Sequence, residues 1–235
     1  MTDHPKVTLV TCSSMPHLFP GEEGLLDELA SRGCDPQIKV WNDPDVDWSE
    51  AGMVVVRSVS DYASDRQAFL DWTRQLTRVQ NSKDVLNWNT DKHYLRDLAA
   101  LGMPTIQTNW LEPEQKLSKH QIHTRFPAFG EFVVKPAVSS GVRDIGRYTT
   151  VDTRQRQAAM RQVQGLLGEG RSVMIQRYVE EIDLHGEISL VFFNGLVSHA
   201  VEKRSALHPS SVSDPSAHEA VVTAEAADSV AWKWG

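Results

Sequence analysis

Residues 187–203 hold the pattern that leaves this chain least freedom. Two alternating runs, E-I-S-L-V-F-F and L-V-S-H-A-V-E-K, flank Asn194-Gly195. Side chains on a strand alternate between its two faces, so each run can turn apolar residues to one side. Asn-Gly supplies the two positive-φ positions of a type I′ turn, which joins antiparallel strands without splaying them. The stretch is therefore expected to be a β-hairpin with Glu187 and Lys203 at its two ends, its register left open. His199 reads as a core or cross-strand histidine sooner than as a catalyst.

The N-terminal part has a different rhythm. Residues 7–12 read as a buried strand, followed by Ser13-Ser14 with Pro16 and Pro20 as breakers. Residues 22–32 carry Leu25, Leu26 and Leu29 at helical spacing and end at Gly33. Short strands are expected at 38–41 and 53–56, and strand–helix–strand order implies a small parallel sheet. Asp43, Asp45 and Asp47 mimic the start of a calcium loop, but Trp48 replaces its glycine and Val54 its closing glutamate. Arg57 and Asp61 follow the third strand, at the end where open α/β sheets place ligand contacts. An Arg–Asp pair that merely holds the loop is the alternative. Ser64 or Asp65 caps a helix bearing Phe69, Trp72, Leu76 and Val79. Thr90 is expected to cap a helix over 91–101, with Lys92 in its first turn. A cation there opposes the helix dipole unless an anion lies nearby. Residues 104–108 read as extended and 109–129 as irregular. His120 and His123, among Lys116, Lys119 and Arg125, suit a solvated face better than zinc.

Residues 131–148 read E-F-V-V-K-P-A-V-S-S-G-V-R-D-I-G-R-Y. A buried strand ends in Lys135, a loop of small residues follows (Ala137, Ser139, Ser140, Gly141), and a second strand is expected at 145–149. One fixed cation beside a loop with free backbone N–H groups can hold a polyphosphate. The spacing Gly141 to Gly146 imitates a P-loop. Arg147 and Tyr148, however, stand where its lysine and its metal-binding hydroxyl should be. The surviving readings are a hairpin that covers a phosphate and a plain surface hairpin. Asp152 or Thr153 then caps a helix carrying Met160, Val163, Leu166 and Leu167, ended by Gly168 and Gly170. A strand at 173–176 runs into R-Y-V-E-E-I-D. Residues 208–227 read as a loop and at most a weak helix. Glu219, Glu225 and Asp228 are available carboxylates in this Ala-rich part of the chain, and no further strand is expected.

A net charge of −7 argues against a nucleic-acid or anionic-membrane binder, yet leaves room for a local basic pocket. Two cysteines in 235 residues imply no disulfide framework and suit a reducing compartment. The N-terminus lacks a signal-peptide pattern and no apolar run reaches membrane-spanning length. A soluble, cytoplasmic protein is expected.

The order of parts resembles the ATP-grasp superfamily over roughly 7–204. It is most similar to the carboxylate–amine ligase branch near glutathione synthetase and the D-cycloserine-forming ligase. The stretches V-L-N-W-N-T-D-K-H-Y-L, F-V-V-K-P-A-V-S-S-G-V-R-D-I-G-R-Y and G-E-I-S-L-V-F-F-N-G-L-V-S-H-A-V-E-K-R carry the match together. The resemblance implies an α/β fold. A small parallel-sheet pre-ATP-grasp domain (1–88) would precede an ATP-grasp domain (89–235) that lacks its last strands.

By position, the resemblance implies that Lys92 and Lys135 hold the ATP phosphates and that Ser139, Ser140 and Gly141 lie in the loop closing over them. Gln176 and Val179 would meet adenine, and Glu187, or else Glu180 or Asp183, the ribose. Lys203 and Arg204 would reach the γ-phosphate or the carboxylate being activated. Arg57, Asp61 and Arg143 would touch substrate. Such ligases join a small-molecule carboxylate to an amine through an acyl phosphate, with ATP and Mg2+. Lysines, an arginine and backbone N–H groups stabilise the charge that develops. The family's metal ligands have no match after Arg204, so the expectation is a ligase cut short at its C-terminus. Its alternative is a non-catalytic nucleotide-binding protein. An exposed sheet edge makes a homodimer an expectation as well.

Overall fold

The computed structural model describes residues 4–19, 21–203, 205–207 and 222–224. Its chain divides into two units. The first takes in the chain up to Ile106 with Lys135–Asp144 and Leu166–Val173; the second has Gln107–Val134, Ile145–Gly165 and the chain from Met174 onward.

The first unit is built on β1 (Lys6–Thr11), whose T-L-V-T run at 8–11 is buried on both faces, as a central parallel strand requires. Helix α1 (Gly24–Ser31) leads to β2 (Asp35–Val40), and β3 (Met53–Ser58) lies on the other side of β1. Helix α2 (Arg66–Gln75) follows, capped by Asp65, whose carboxylate accepts from the Ala68 N–H at 2.9 Å. Strand β4 (Val79–Gln80), too short to announce itself, completes a parallel sheet of order β2-β1-β3-β4. Against this sheet packs an aromatic core. Phe69 sits 5.6 Å from Trp41 and 5.4 Å from Trp72, with Val10, Val54 and Leu76 buried around them.

The helix expected at 91–101 is present but starts three residues later, and another helix precedes it. Helix α3 (Lys83–Asn89) is capped by Ser82, and α4 (Tyr94–Ala100) starts after a turn. Thr90 ends α3 instead of starting its successor, because its hydroxyl turns back to the Leu86 carbonyl at 2.7 Å. Lys92 therefore lies in the connecting turn and outside any helix, so the dipole argument does not apply to it.

The second unit holds most of a four-stranded sheet of order β5-β8-β6-β7. Its strands are β5 (Thr108–Leu111), β6 (Glu131–Pro136), β7 (Gly146–Thr149) and β8 (Val173–Arg177), with helix α5 (Lys119–His123) between β5 and β6. The segment 109–129, expected to be irregular, thus supplies a strand and a short helix. Ser118 and Gln121 form a capping box at the start of α5. Strands β6 and β7 pair antiparallel, Phe132 opposite Tyr148, which bears out the hairpin read at 131–148. Helix α6 (Thr153–Gly168) buries Ala159 and Val163, and its Gln162 accepts the Tyr148 hydroxyl proton at 2.8 Å. Helix α7 (Glu181–His185) follows β8.

The last sheet confirms the hairpin at 187–203. Strands β9 (Glu187–Phe193) and β10 (Leu196–Lys203) pair antiparallel, Glu187 opposite Lys203, and the turn residues have φ of 51° at Asn194 and 77° at Gly195. Beyond them, β11 (Val222–Ala224) pairs antiparallel with β10. At 222–224 a strand thus stands where a loop or weak helix was expected, and the rest of 208–227 lies outside the described residues. The β-branched Val222 and Thr223 favour a strand once β10 offers an edge to pair with. Glu219, Glu225 and Asp228 lie outside the described residues.

Candidate functional site

Lys135 comes off the end of β6, whose Phe132, Val133 and Val134 are buried and fix the strand in place. Through Ala137 to Asp144 the chain makes the small-residue loop, with a positive φ at Gly141 (62°) and Asp144 (59°). Its start is anchored twice. The Ala137 N–H donates to the Ser172 carbonyl at 2.9 Å, and the Ala137 carbonyl accepts from the Lys92 N–H at 3.0 Å.

Lys92 is brought to this loop by its turn. Its Nζ donates to the Ser139 carbonyl at 2.9 Å and to the Ser139 hydroxyl at 2.7 Å. The Tyr62 hydroxyl donates to the same carbonyl at 3.3 Å. Burial first, and then the charge of Lys135, pull the Lys92 pKa down to about 8, against the opposing effect of Asp91. A lysine whose charge is disfavoured by burial and by a second cation is relieved by an anion beside it. The sequence pointed to Lys92, Lys135, Ser139, Ser140 and Gly141, and the first unit gathers all five. Tyr62 was not singled out for this loop, and no local pattern marks it.

Beside the loop, also within the first unit, opens a cleft of about 560 Å3 lined by Arg66, Arg143, Arg171, Ser140, Asp91 and Asp144 among others. Arg171 pairs with Asp144 at 2.8 Å, and Arg66 is held by Thr90 at 2.9 Å. Arg143 is exposed and donates to the Ser64 hydroxyl at 3.0 Å. Arg57 and Asp61 do not form the Arg–Asp pair that their spacing offered. Arg57 pairs with Glu22 at 2.5 Å, and Asp61 accepts the Trp41 indole N–H at 2.7 Å.

In the second unit, Gln176 is buried on β8 and donates through Nε2 to the Thr108 hydroxyl at 2.7 Å, so its side chain serves the sheet. Val179 follows as the chain leaves β8. Glu187 is exposed at the start of β9, opposite Lys203 at the end of β10. Arg204 lies outside the described residues. Asp183, an alternative ribose contact, is taken up by the Tyr178 hydroxyl and by Arg147, the latter at 2.8 Å. Arg147 was weighed in the sequence only as a misplaced P-loop residue. An arginine within a strand candidate, between Gly146 and Tyr148, was the signal available for it. Among the described residues, no three His, Cys, Asp or Glu side chains are placed to hold a metal. No helix among them is long and apolar enough to cross a membrane.

Comparison with known proteins adds a family to this geometry. Residues 7–87 match the family model described as D-cycloserine synthetase DcsG, N-terminal domain. The cycloserine biosynthesis protein DcsG of Streptomyces lavendulae is 35% identical over 190 residues, which cover 79% of this chain and 62% of that protein. The chain thus spans less than two thirds of that relative's length. The crystal structure of D-cycloserine synthetase DcsG superposes with a TM-score of 0.76 at 33% identity, covering 87% of this chain and 69% of that one. D-alanyl-alanine synthetase A from Vibrio cholerae O1 biovar eltor shares the fold, with a TM-score of 0.61 at 13% identity over 96% of this chain and 75% of its own. With 33% identity to a solved D-cycloserine synthetase over 87% of this chain and 69% of that one, this chain belongs to the DcsG family.

Proposed function

We propose that the chain acts in ATP-dependent carboxylate–amine ligation. A substrate carboxylate oxygen bonds to the γ-phosphorus of ATP and ADP leaves. An amine nitrogen then bonds to the acyl carbon, releasing phosphate and a proton. The observation that carries this reading is the convergence of Lys92, with its lowered pKa, and Lys135 on the Ser139 loop. Two cations and a loop with positive-φ turns suit a polyphosphate, and in phosphoryl transfer such fixed charges provide most of the stabilisation.

The roles proposed for single residues follow from chemistry and position. Lys92 and Lys135 hold phosphates, and Ser139, Ser140 and Gly141 close over them. Gln176, through its backbone, and Val179 contact adenine, and Glu187 the ribose. Lys203 and Arg204 face the transferring phosphate or the activated carboxylate. Arg143, with Arg57 and Asp61, contacts the substrates, and the cleft that Arg143 lines is roomy enough for a small molecule. Magnesium, the proposed companion of ATP, would neutralise β- and γ-phosphate oxygens. The described residues offer no ligand set for it, so no step is assigned to it. We place 1–88 and 89–235 as the two functional domains, in a reducing cytoplasm that suits the free Cys12 and Cys34. We also propose a homodimer through β9, one of the two outer strands of its sheet among the described residues. Sizing with light scattering tests that, and a monodisperse monomer refutes it.

Calorimetric titration with magnesium and a non-hydrolysable ATP analogue, alongside Lys135→Ala, tests the main reading. Micromolar binding lost in the variant supports it, and ADP release with carboxylate–amine pairs then tests transfer. A folded chain that binds no analogue refutes it.

A further inference from the structure

Arg147, on β7, meets four partners within the second unit. It donates through Nε at 2.9 Å and through Nη2 to Glu131 on β6. Through Nη1 it pairs with Asp183 of α7 at 2.8 Å and donates to the Leu207 carbonyl at 3.2 Å. Its guanidinium carbon stands 3.6 Å from the centroid of the Tyr178 ring. Tyr178 closes the circuit. Its hydroxyl donates to Asp183 and lies 3.1 Å from the Ser205 hydroxyl, and its N–H donates to the Glu131 carbonyl at 2.9 Å. The Arg147 side chain is only 16% exposed. Burial works against its charge, but Glu131 and Asp183 outweigh burial and raise its pKa.

Stability alone is a poor reason for such a group, since apolar replacements of buried ion pairs are often as stable. What a guanidinium adds is direction. Its edge donates two hydrogen bonds to a carboxylate while its face takes an aromatic ring. Here the edge and the face orient two stretches of chain separated by the whole β9–β10 hairpin. One is 176–179, reached through Tyr178. The other is 205–207, reached through the Leu207 carbonyl and, by way of Tyr178, Ser205.

We propose that Arg147 is a positioning residue that locks 176–179 to 205–207. It thereby sets the adenine contacts of Gln176 and Val179 in register with the stretch that follows Lys203 and Arg204. The nucleotide part of this inference rests on the function proposed above. The locking itself does not.

Two variants test it. Arg147→Met removes every polar contact but strands two carboxylates and endangers folding. Tyr178→Phe removes only the hydroxyl link to Asp183 and Ser205. Amide hydrogen exchange is followed in the free chain, and binding is titrated with the ATP analogue and, separately, with tripolyphosphate. Exchange in 176–179 and in 205–207 is expected to rise together in each folded variant. Affinity for the ATP analogue falls about tenfold, the loss expected from one misplaced hydrogen bond, while tripolyphosphate binding holds. Unchanged exchange in either segment overturns the inference, whatever the nucleotide result. Equal weakening of both ligands reduces Arg147 to a general structural role and overturns it too. If the wild-type chain binds neither ligand yet the folded variants show the joint rise, the proposed function is overturned and the lock stands.

Discussion

The ammonium group of Lys92 holds both oxygens of Ser139, the carbonyl at 2.9 Å and the hydroxyl at 2.7 Å. Neither oxygen carries a full charge, so the ammonium is held without being neutralised. Burial and Lys135 bring its pKa to about 8, from an ordinary 10.5. The unfolded chain therefore holds more protons than the folded one between those two values. Through this group stability rises with pH across that window, and below about 8 the burial penalty is present in full. A bound phosphate raises the Lys92 pKa again, so binding takes up a proton. Affinity for the ATP analogue should fall as pH climbs through about 8, by up to about tenfold per unit. Lys92→Met should bind weakly and without that pH dependence. Calorimetry in two buffers of different ionisation enthalpy measures the proton directly, and a wild-type affinity flat across this range refutes the assignment.

Asp61 owes part of its fixed position to the Trp41 indole, 2.7 Å away. Trp41 belongs to the aromatic core, so losing its acceptor strands a buried N–H. Asp61→Ala should cost about 1–3 kcal/mol of stability, whereas Asp61→Asn, which keeps an oxygen in place, should cost much less. Urea unfolding of the two variants decides. Equal losses would mean that the charge matters and the hydrogen bond does not.

Gly52 and Gly195 both have positive φ, 68° and 77°, but their surroundings differ. A Cβ on Gly52 would come 2.3 Å from the Lys6 carbonyl oxygen, a backbone atom that cannot swing aside, while one on Gly195 would meet nothing within 4 Å. Gly195→Ala should therefore cost only the backbone term of about 1–2 kcal/mol. Gly52→Ala should cost several kcal/mol, because the clash falls between β1 and the chain entering β3. Thermal unfolding ranks them, and the reverse order would contradict the close approach.

Phe69, 1% exposed, touches Trp41, Trp72 and Tyr62. Phe69→Ala should remove about 3–5 kcal/mol and leave a cavity that three large rings cannot collapse into. Phe69→Leu should cost clearly less. Chemical denaturation with an unchanged slope would locate the effect in the folded state.

What the sequence disclosed follows the range of the interactions involved. The turn at Asn194-Gly195 was legible because a type I′ geometry is dictated by the two residues that adopt it. The Lys135 loop was legible because its strand, breaker and small residues are contiguous. Lys92 was found as a residue but misplaced. The end of α3 depends on the Thr90 hydroxyl bonding backwards to Leu86, and either direction was open to that threonine. Strand β4 is two residues long and exists because β3 has an edge beside it. Strand β11 is likewise elicited by β10. Arg147 escaped because its partners lie at distances such as 16 and 60 residues along the chain, where no spacing rule reaches.

Strand β5 lies at the edge of its sheet with β8 as its neighbour, and the Thr108 hydroxyl that receives Gln176 is 68 residues away from it along the chain. A ribosome adding about 5–20 residues per second needs on the order of ten seconds to bridge that interval. The β9–β10 hairpin, by contrast, closes on itself within microseconds of emerging. During those seconds T-N-W-L is a short strand without its mate, exposed to whatever else in the cell offers an edge. Slower translation lengthens that exposure, so synthesis rate should govern how much of this protein reaches its native form.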